Sequence, residues 1–402
     1  MWRLPLGAIA LAPLALIALG CDPSSKNWAD LVAPGPKGAD QLVVLVSNEA
    51  SNDISFIDGA SDSVLKSLPV GKRPRGLKMS PDGSKLYVAL SGSARGGPNV
   101  DESQLPPPNR AEDGIGVLNM ASLGLSARDG VVTGSAVAGS AVTGSVVTGS
   151  VVTQVAALQP SAASALQTKL PSGDDPETID VTADGQLIAV ANEDSARVRL
   201  IQADNGATLA SIPVGLEPEG LRFRPDGRVL YVTSEANDRL DVIDVTERRV
   251  IATLPVGKRP RNVLFDPEGS YAYITCELAG RVDVIDARTH RSLTSIEIEG
   301  TPKPMPMGMA LDPSEDRLYV SLGRAGEVAV IDTRSLRLLQ RIQGVGARPW
   351  GIALTPDGKK IYTANGPSGD VSVIDARTLQ VTQRIPVGQL PWGIGMARVR
   401  GE

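Results

Sequence analysis

Seven residues, each directly after a proline, are the chain's best candidates for chemistry: Arg75, Glu177, Glu219, Arg261, Met307, Trp350 and Trp392. In order they form a charged run followed by an apolar, aromatic one. Trp350 and Trp392 offer flat faces for stacking, and Arg75 or Arg261 offers a hydrogen-bonding fork. Together they suit an amphipathic small molecule or a peptide partner. The competing reading makes Arg75–Glu177 and Glu219–Arg261 ion pairs between neighbouring structural units, with the tryptophans capping the core. Glu177 and Glu219 are also possible paired carboxylates, but flanking arginines are expected to keep both ionised. A general acid needs a raised pKa, so no catalytic residue is assigned.

Other chemistries find less support. His290 is the single histidine and falls in a predicted loop, where it reads as a solvated residue. No histidine-based triad, zinc site or CxxCH haem attachment is compatible with that composition. Met305, Met307 and Met309 are spaced like soft-metal ligands, but two of the three alternate into core positions. No metal and no cofactor is assigned. The net charge of −5 over 402 residues gives no electrostatic reason to expect a nucleic-acid partner.

The elements that must hold the seven residues come from a repeat of about 42 residues, clearest from Leu216 to Gly257. Its apolar runs Leu221–Phe223, Val229–Val232, Leu240–Ile243 and Val250–Leu254 are separated by turn chemistry such as Pro225-Asp226-Gly227, which predicts four strands. Apolar residues occupy both faces of these strands, as in a sheet sandwiched between two others. Four strands stacked on copies of themselves make a propeller blade. First-strand signatures begin at Pro74, Pro176, Pro218, Pro260, Pro306, Pro349 and Pro391. The expected fold is therefore all-β, a seven-bladed β-propeller with four-stranded antiparallel blades spanning residues 41–399.

The chain enters this ring at a second strand, Leu42–Ser47, and ends on a first-strand segment at Pro391-Trp392-Gly393. The C-terminal strand is thus expected to complete the N-terminal blade and close the ring. Along each first strand, the position after the candidate residue is small (Gly76, Thr178, Gly220, Asn262, Gly308, Gly351, Gly393) and the next is apolar. The second blade carries two insertions, 91–113 and 121–162, expected on opposite faces. The first is proline-rich and acidic; the second contains the tandem array VVTGS, AVAGS, AVTGS, VVTGS, VVTQV, which lacks the composition for a core of its own.

Segments such as Leu230-Tyr231-Val232-Thr233-Ser234 and Leu318-Tyr319-Val320-Ser321, with Val242-Ile243-Asp244 and Val284-Ile285-Asp286, resemble the YVTN family of β-propeller repeats, of the YncE-like kind. The resemblance implies an extracytoplasmic bacterial propeller, in a family whose suggested roles run from surface-layer or adhesion proteins to accessories of periplasmic quinone-dependent oxidation systems. Residues 1–20 (Arg3, an apolar run Leu4–Leu19, then Gly20) resemble a lipoprotein signal peptide. Cys21 is then the lipidation site and residues 21–40 a flexible tether. Cys276 is left as a buried free thiol. The function expected from sequence is a lipid-anchored, monomeric, extracytoplasmic binding or scaffold protein without catalysis, engaging a protein or small-molecule ligand at the channel mouth. The alternative is a lactonase-like hydrolase or an accessory protein of a periplasmic quinone-dependent oxidation system.

Overall fold

The computed structural model describes residues 41–95, 104–123, 166–314 and 316–399. The signal-like segment 1–20, Cys21, the tether, the pentapeptide array and Glu315 of one predicted turn lie outside them. Among the described residues, twenty-eight strands form seven four-stranded antiparallel sheets, with essentially no helix. The structure is the expected seven-bladed propeller. The first blade orders its strands β28 (Pro391–Val399), β1 (Gln41–Asn48), β2 (Asp53–Asp58) and β3 (Ser63–Pro69), so the C-terminal strand closes the ring. Gln41 pairs with Val399 and Leu45 with Gly395 along that seam.

In the other six blades the innermost strands are β4 (Pro74–Met79), β8 (Pro176–Val181), β12 (Pro218–Phe223), β16 (Pro260–Phe265), β20 (Pro306–Leu311) and β24 (Pro349–Leu354). Each begins at one of the signature prolines. The core lies between blades rather than within one. Val43 and Leu45 of the first blade, for example, pack with Leu86 and Val88 of the second. That arrangement explains apolar residues on both faces of the strands. Cys276 is buried and unpaired.

Two local devices aim the innermost strands. The residue before every signature proline (Arg73, Asp175, Glu217, Arg259, Met305, Arg348, Leu390) has a left-handed backbone with φ between 44° and 57°. Proline disfavours the right-handed helical region for its predecessor, and here the chain turns the other way to enter the strand. Because the device recurs in all seven blades, it belongs to the architecture rather than to one strained site. The small position then packs on the next blade. A Cβ added to Gly220 would meet the Arg261 carbonyl oxygen at 2.3 Å, and one on Gly308 the Trp350 carbonyl oxygen at 2.6 Å. Neighbouring inner strands therefore approach closely at the channel mouth, and hydroxyls lock them. Ser47 donates to the Arg75 carbonyl (2.6 Å), Thr275 to that of Met307 (2.6 Å) and Ser321 to that of Trp350 (2.7 Å).

In the second blade, β5 (Lys85–Leu90) and β6 (Gly114–Asn119) flank the first insertion, and the outermost strand β7 is short, Thr168–Leu170. The described part of that insertion bends over the channel mouth, and Leu105–Pro108 line the cavity there.

Candidate functional site

All seven candidate residues line one cavity of about 870 Å³ at the channel mouth. The inner strands deliver one residue per blade, so the linear order of the sequence becomes an order around a ring. The charged arc and the aromatic arc face each other across it.

The charged arc consists of two guanidinium centres wrapped in carboxylates. Arg75 lies against Glu177 in direct ion-pair contact, with Glu49 at 3.4 Å, Glu193 at 3.4 Å and Asp175 at 3.6 Å. Arg261 meets Glu235 at 2.5 Å, Glu277 at 2.7 Å and Glu219 at 3.2 Å. Both expected ion pairs, Arg75–Glu177 and Glu219–Arg261, are present. A further pair of arginines flanks them: Arg73 on Glu49 at 2.8 Å and Arg259 on Glu235 at 2.6 Å. The carboxylates of Asp175, Glu177 and Glu193 lie close enough together to hold a cation. The Arg75 guanidinium already fills that position.

Most of these carboxylates were not among the sequence candidates. Their signal is a second column, the residue immediately after the second strand of each blade: Glu49, Ser91, Glu193, Glu235, Glu277, Gly323 and Gly366. Acids stand in the first, third, fourth and fifth blades, and glycine stands in the two blades that carry Met307 and Trp350. In six of the seven blades the amide of this column position donates to the carbonyl of the left-handed residue, as Glu193 does to Asp175 at 3.0 Å and Glu277 to Arg259 at 2.9 Å, while in the second blade Ser91 donates to Lys72. The column is thereby fixed at the mouth. The other missed group is the left-handed residue itself, represented by Arg73, Asp175, Arg259 and Arg348.

Protonation divides the arc. Burial pushes Glu49 up, but Arg75 and Arg73 outweigh it and hold the carboxyl below its usual range. Asp175 is likewise held low by Arg75 and the Ser91 hydroxyl against the effect of burial. Glu219 goes the other way. Burial raises it, Arg261 opposes, and Glu235 and Glu193 add repulsion, leaving its carboxyl at about 7. Glu193 is also raised, by burial and by Asp175, with Arg75 opposing. The expectation that flanking arginines keep Glu219 ionised is therefore corrected. Arg261 is shared among three carboxylates, so Glu219 receives only part of its stabilisation while bearing the full cost of burial.

Across the cavity, Trp350 and Trp392 pack edge to face, with centroids 6.0 Å apart and planes at 73°. Both are half-buried, and Met307 beside them is buried. The Arg348 guanidinium lies over the Trp350 ring, 5.0 Å from its centroid. Burial lowers the Arg348 pKa, Glu277 opposes, and nearby Arg261 and Arg259 lower it further. Among the described residues no carboxylate lies within 4 Å of Arg348, unlike Arg73, Arg75, Arg259 and Arg261. Deeper in the channel, Asp180 bridges Lys78 at 2.7 Å and Arg222 at 3.3 Å.

The first insertion is tied to the rim. Arg73 donates to the Ser93 carbonyl at 2.7 Å and to that of Ala94 at 3.2 Å. Arg110 reaches Asp194 at 2.5 Å and Asp113 at 3.1 Å. The insertion thus joins the third blade and walls one side of the cavity. His290 lies away from this site. It is half-buried, with Nδ1 2.7 Å from the Tyr231 hydroxyl and its ring 5.7 Å from the Tyr231 ring, rather than solvated as expected.

A model of the family described as lactonase, seven-bladed β-propeller, matches residues 221–380. No curated protein matches the sequence. Among solved structures, the chain is similar to the periplasmic gluconolactonase of Pseudomonas aeruginosa, with a TM-score of 0.64 and 21% identity over 89% of this chain and 99% of that one. It is also similar to a putative 6-phosphogluconolactonase from Bacteroides uniformis, with a TM-score of 0.64 and 17% identity over 89% of this chain and 100% of that one. Hydrazine synthase of Kuenenia stuttgartiensis aligns with a TM-score of 0.61 and 20% identity over 82% of this chain and 91% of that one. At such identities the likeness extends to the fold alone.

Proposed function

We propose that the channel mouth binds a small amphipathic ring compound and that the reaction it serves is hydrolysis of a lactone. The observation that carries this reading is a buried carboxyl, Glu219, set beside the Arg261 guanidinium on the wall opposite the tryptophans. Its pKa of about 7 suits a general base at neutral pH, and the lactonase family model over residues 221–380 supports the same reaction class.

In that reaction the Glu219 carboxylate takes a proton from water as the water oxygen bonds to the lactone carbonyl carbon. The carbonyl oxygen becomes an oxyanion beside the cavity-lining Arg348 guanidinium. The ring C–O bond then breaks, and the leaving oxygen takes the proton back from Glu219 to give the open hydroxy acid. Arg75 and Arg261 are surrounded by carboxylates and serve to set the charge of Glu219 and Glu193 rather than to receive the ligand.

The test is titration of released acid on a panel of lactones with the wild type and Glu219→Gln. Turnover that falls at least about 100-fold in the variant supports the reading. Equal turnover in both proteins, or no turnover of any lactone, overturns it. Retained binding without turnover would return the site to the non-catalytic binding role expected from sequence.

We also propose, on the strength of residues 1–21 and the YVTN-like repeats, that the protein works outside the cytoplasm as a lipid-anchored monomer. Metabolic labelling with a fatty-acid analogue, lost in Cys21→Ser, tests the anchor.

A further inference from the structure

The hydrolase reading leaves the ligand's chemistry open, and the distribution of satisfied and unsatisfied donors narrows it. A phosphate dianion is recognised by several donors that have no better partner, more than a single guanidinium supplies. In the charged arc there are none to spare, because Arg73, Arg75, Arg259 and Arg261 each already meet a carboxylate at 3.4 Å or less. A phosphate would have to displace those carboxylates while remaining beside them. Like charges at such distances repel strongly where water is excluded.

The aromatic wall is differently equipped. Arg348 lies over Trp350 with no carboxylate within 4 Å among the described residues, and the Trp350 indole Nε1 is buried with no hydrogen-bond partner. A guanidinium on the cavity wall with no carboxylate beside it calls for an oxygen. Around it Trp350, Trp392 and Met307 provide an apolar surface that suits an aromatic or apolar ring.

We infer that this site takes a lactone bearing an aromatic or extended apolar ring and no phosphate, with its carbonyl oxygen at Arg348 and its ring against Trp350 and Trp392. The inference rests on the lactone reading for its reaction, but it concerns recognition and has its own readout. After ring opening, the same donors face the product carboxylate, so an aromatic hydroxy acid is a ligand in its own right. Arg348 and Trp350 are specificity residues, distinct from the base.

The experiment is calorimetric titration of the full-length protein with 3-(2-hydroxyphenyl)propanoate, the ring-opened form of dihydrocoumarin, and with 6-phosphogluconate. Hydrolysis of dihydrocoumarin and of 6-phosphogluconolactone is followed in parallel. The aromatic acid is expected to bind and the phosphorylated acid not to bind. Arg348→Gln and Trp350→Leu should each weaken the aromatic acid about tenfold or more, whereas Arg249→Gln, on an exposed outermost strand, leaves its affinity unchanged. Cooperative thermal melting of the variants establishes that they are folded. Tighter binding or faster turnover of the phosphorylated compound overturns the inference and leaves the hydrolase reading standing. Binding of the aromatic acid with no hydrolysis of either lactone overturns the hydrolase reading and upholds the recognition. Failure of the aromatic acid to bind, or indifference to Arg348→Gln, overturns the inference.

Discussion

Glu219 lies 3.2 Å from the Arg261 guanidinium, yet it holds its proton up to about 7. The pairing is not a simple salt bridge, because Arg261 is simultaneously held by Glu235 at 2.5 Å and Glu277 at 2.7 Å. Those two sit closer and take most of the attraction, while burial and the like charges of Glu235 and Glu193 act on Glu219 undiminished.

Glu219 should therefore leave a mark on stability. The folded carboxyl keeps its proton to about 7, whereas the unfolded one releases it near 4.5. Between those values the folded state binds more protons, so stability is fullest below about 4.5 and is lost as pH rises through about 7. Glu219→Gln should remove that slope and stabilise the protein above pH 7 by on the order of 3 kcal/mol. Denaturant melts from pH 4 to 8 check this; a variant curve parallel to wild type would refute it.

The same group sets the pH profile of turnover. If Glu219 is the base, kcat/KM on a lactone rises with pH and levels off above about 7. A profile flat from pH 5 to 9 would point to another base.

Arg75 is the structural keystone of the arc. Removing it in Arg75→Ala leaves Glu49, Asp175, Glu177 and Glu193 facing one another without their shared cation. The expected cost is roughly 3–5 kcal/mol, the usual penalty for uncompensated buried charge. The replacement should lose less at pH 4, where the carboxylates take up protons. Chemical denaturation at both pH values measures the difference.

Arg110 has the opposite profile. Its bond to Asp194 is at the surface, with side chains 37% and 42% exposed, and buried Asp113 keeps the Gly92 and Asp175 amides as donors, so Arg110→Ala should cost about 1 kcal/mol. It should nevertheless speed ligand dissociation several-fold, because Leu105–Pro108 wall the cavity and Arg110 anchors that wall to the third blade. Stopped-flow dissociation measured beside the melting temperature separates the two effects.

Ring closure gives a final check. Truncation before Pro391 removes β28 and leaves β1, whose residues Val43–Val46 are fully buried, as an unpaired edge. The truncated chain should fail to form a cooperatively melting monomer, since the edge and the exposed core favour aggregation. Adding the missing strand ahead of Gln41 as a circular permutant should restore it.

The sequence by itself determined the ring. Turn residues, a repeat of about 42 residues and strands apolar on both faces leave a sheet no partner except copies of itself, and the orphan second strand Leu42–Ser47 requires the first-strand segment at Pro391. It also determined which residues reach the mouth, because one column per blade, read after the proline, is a local property of the repeat. A second column, from Glu49 to Gly366, recurs as regularly but lies outside the strands, so only the folded backbone places it at the mouth. What only the tertiary structure decided was the balance among charges. Whether Glu219 belongs to Arg261, and whether Arg348 belongs to any carboxylate, depends on distances of a few ångströms between blades and on how much water each group retains. Those quantities have no periodicity in the chain, because a carboxylate's proton affinity sums burial with every charge around it. The sequence therefore specified the cast of the site, and the packing of seven blades specified which acid holds a proton and which arginine is left for a ligand.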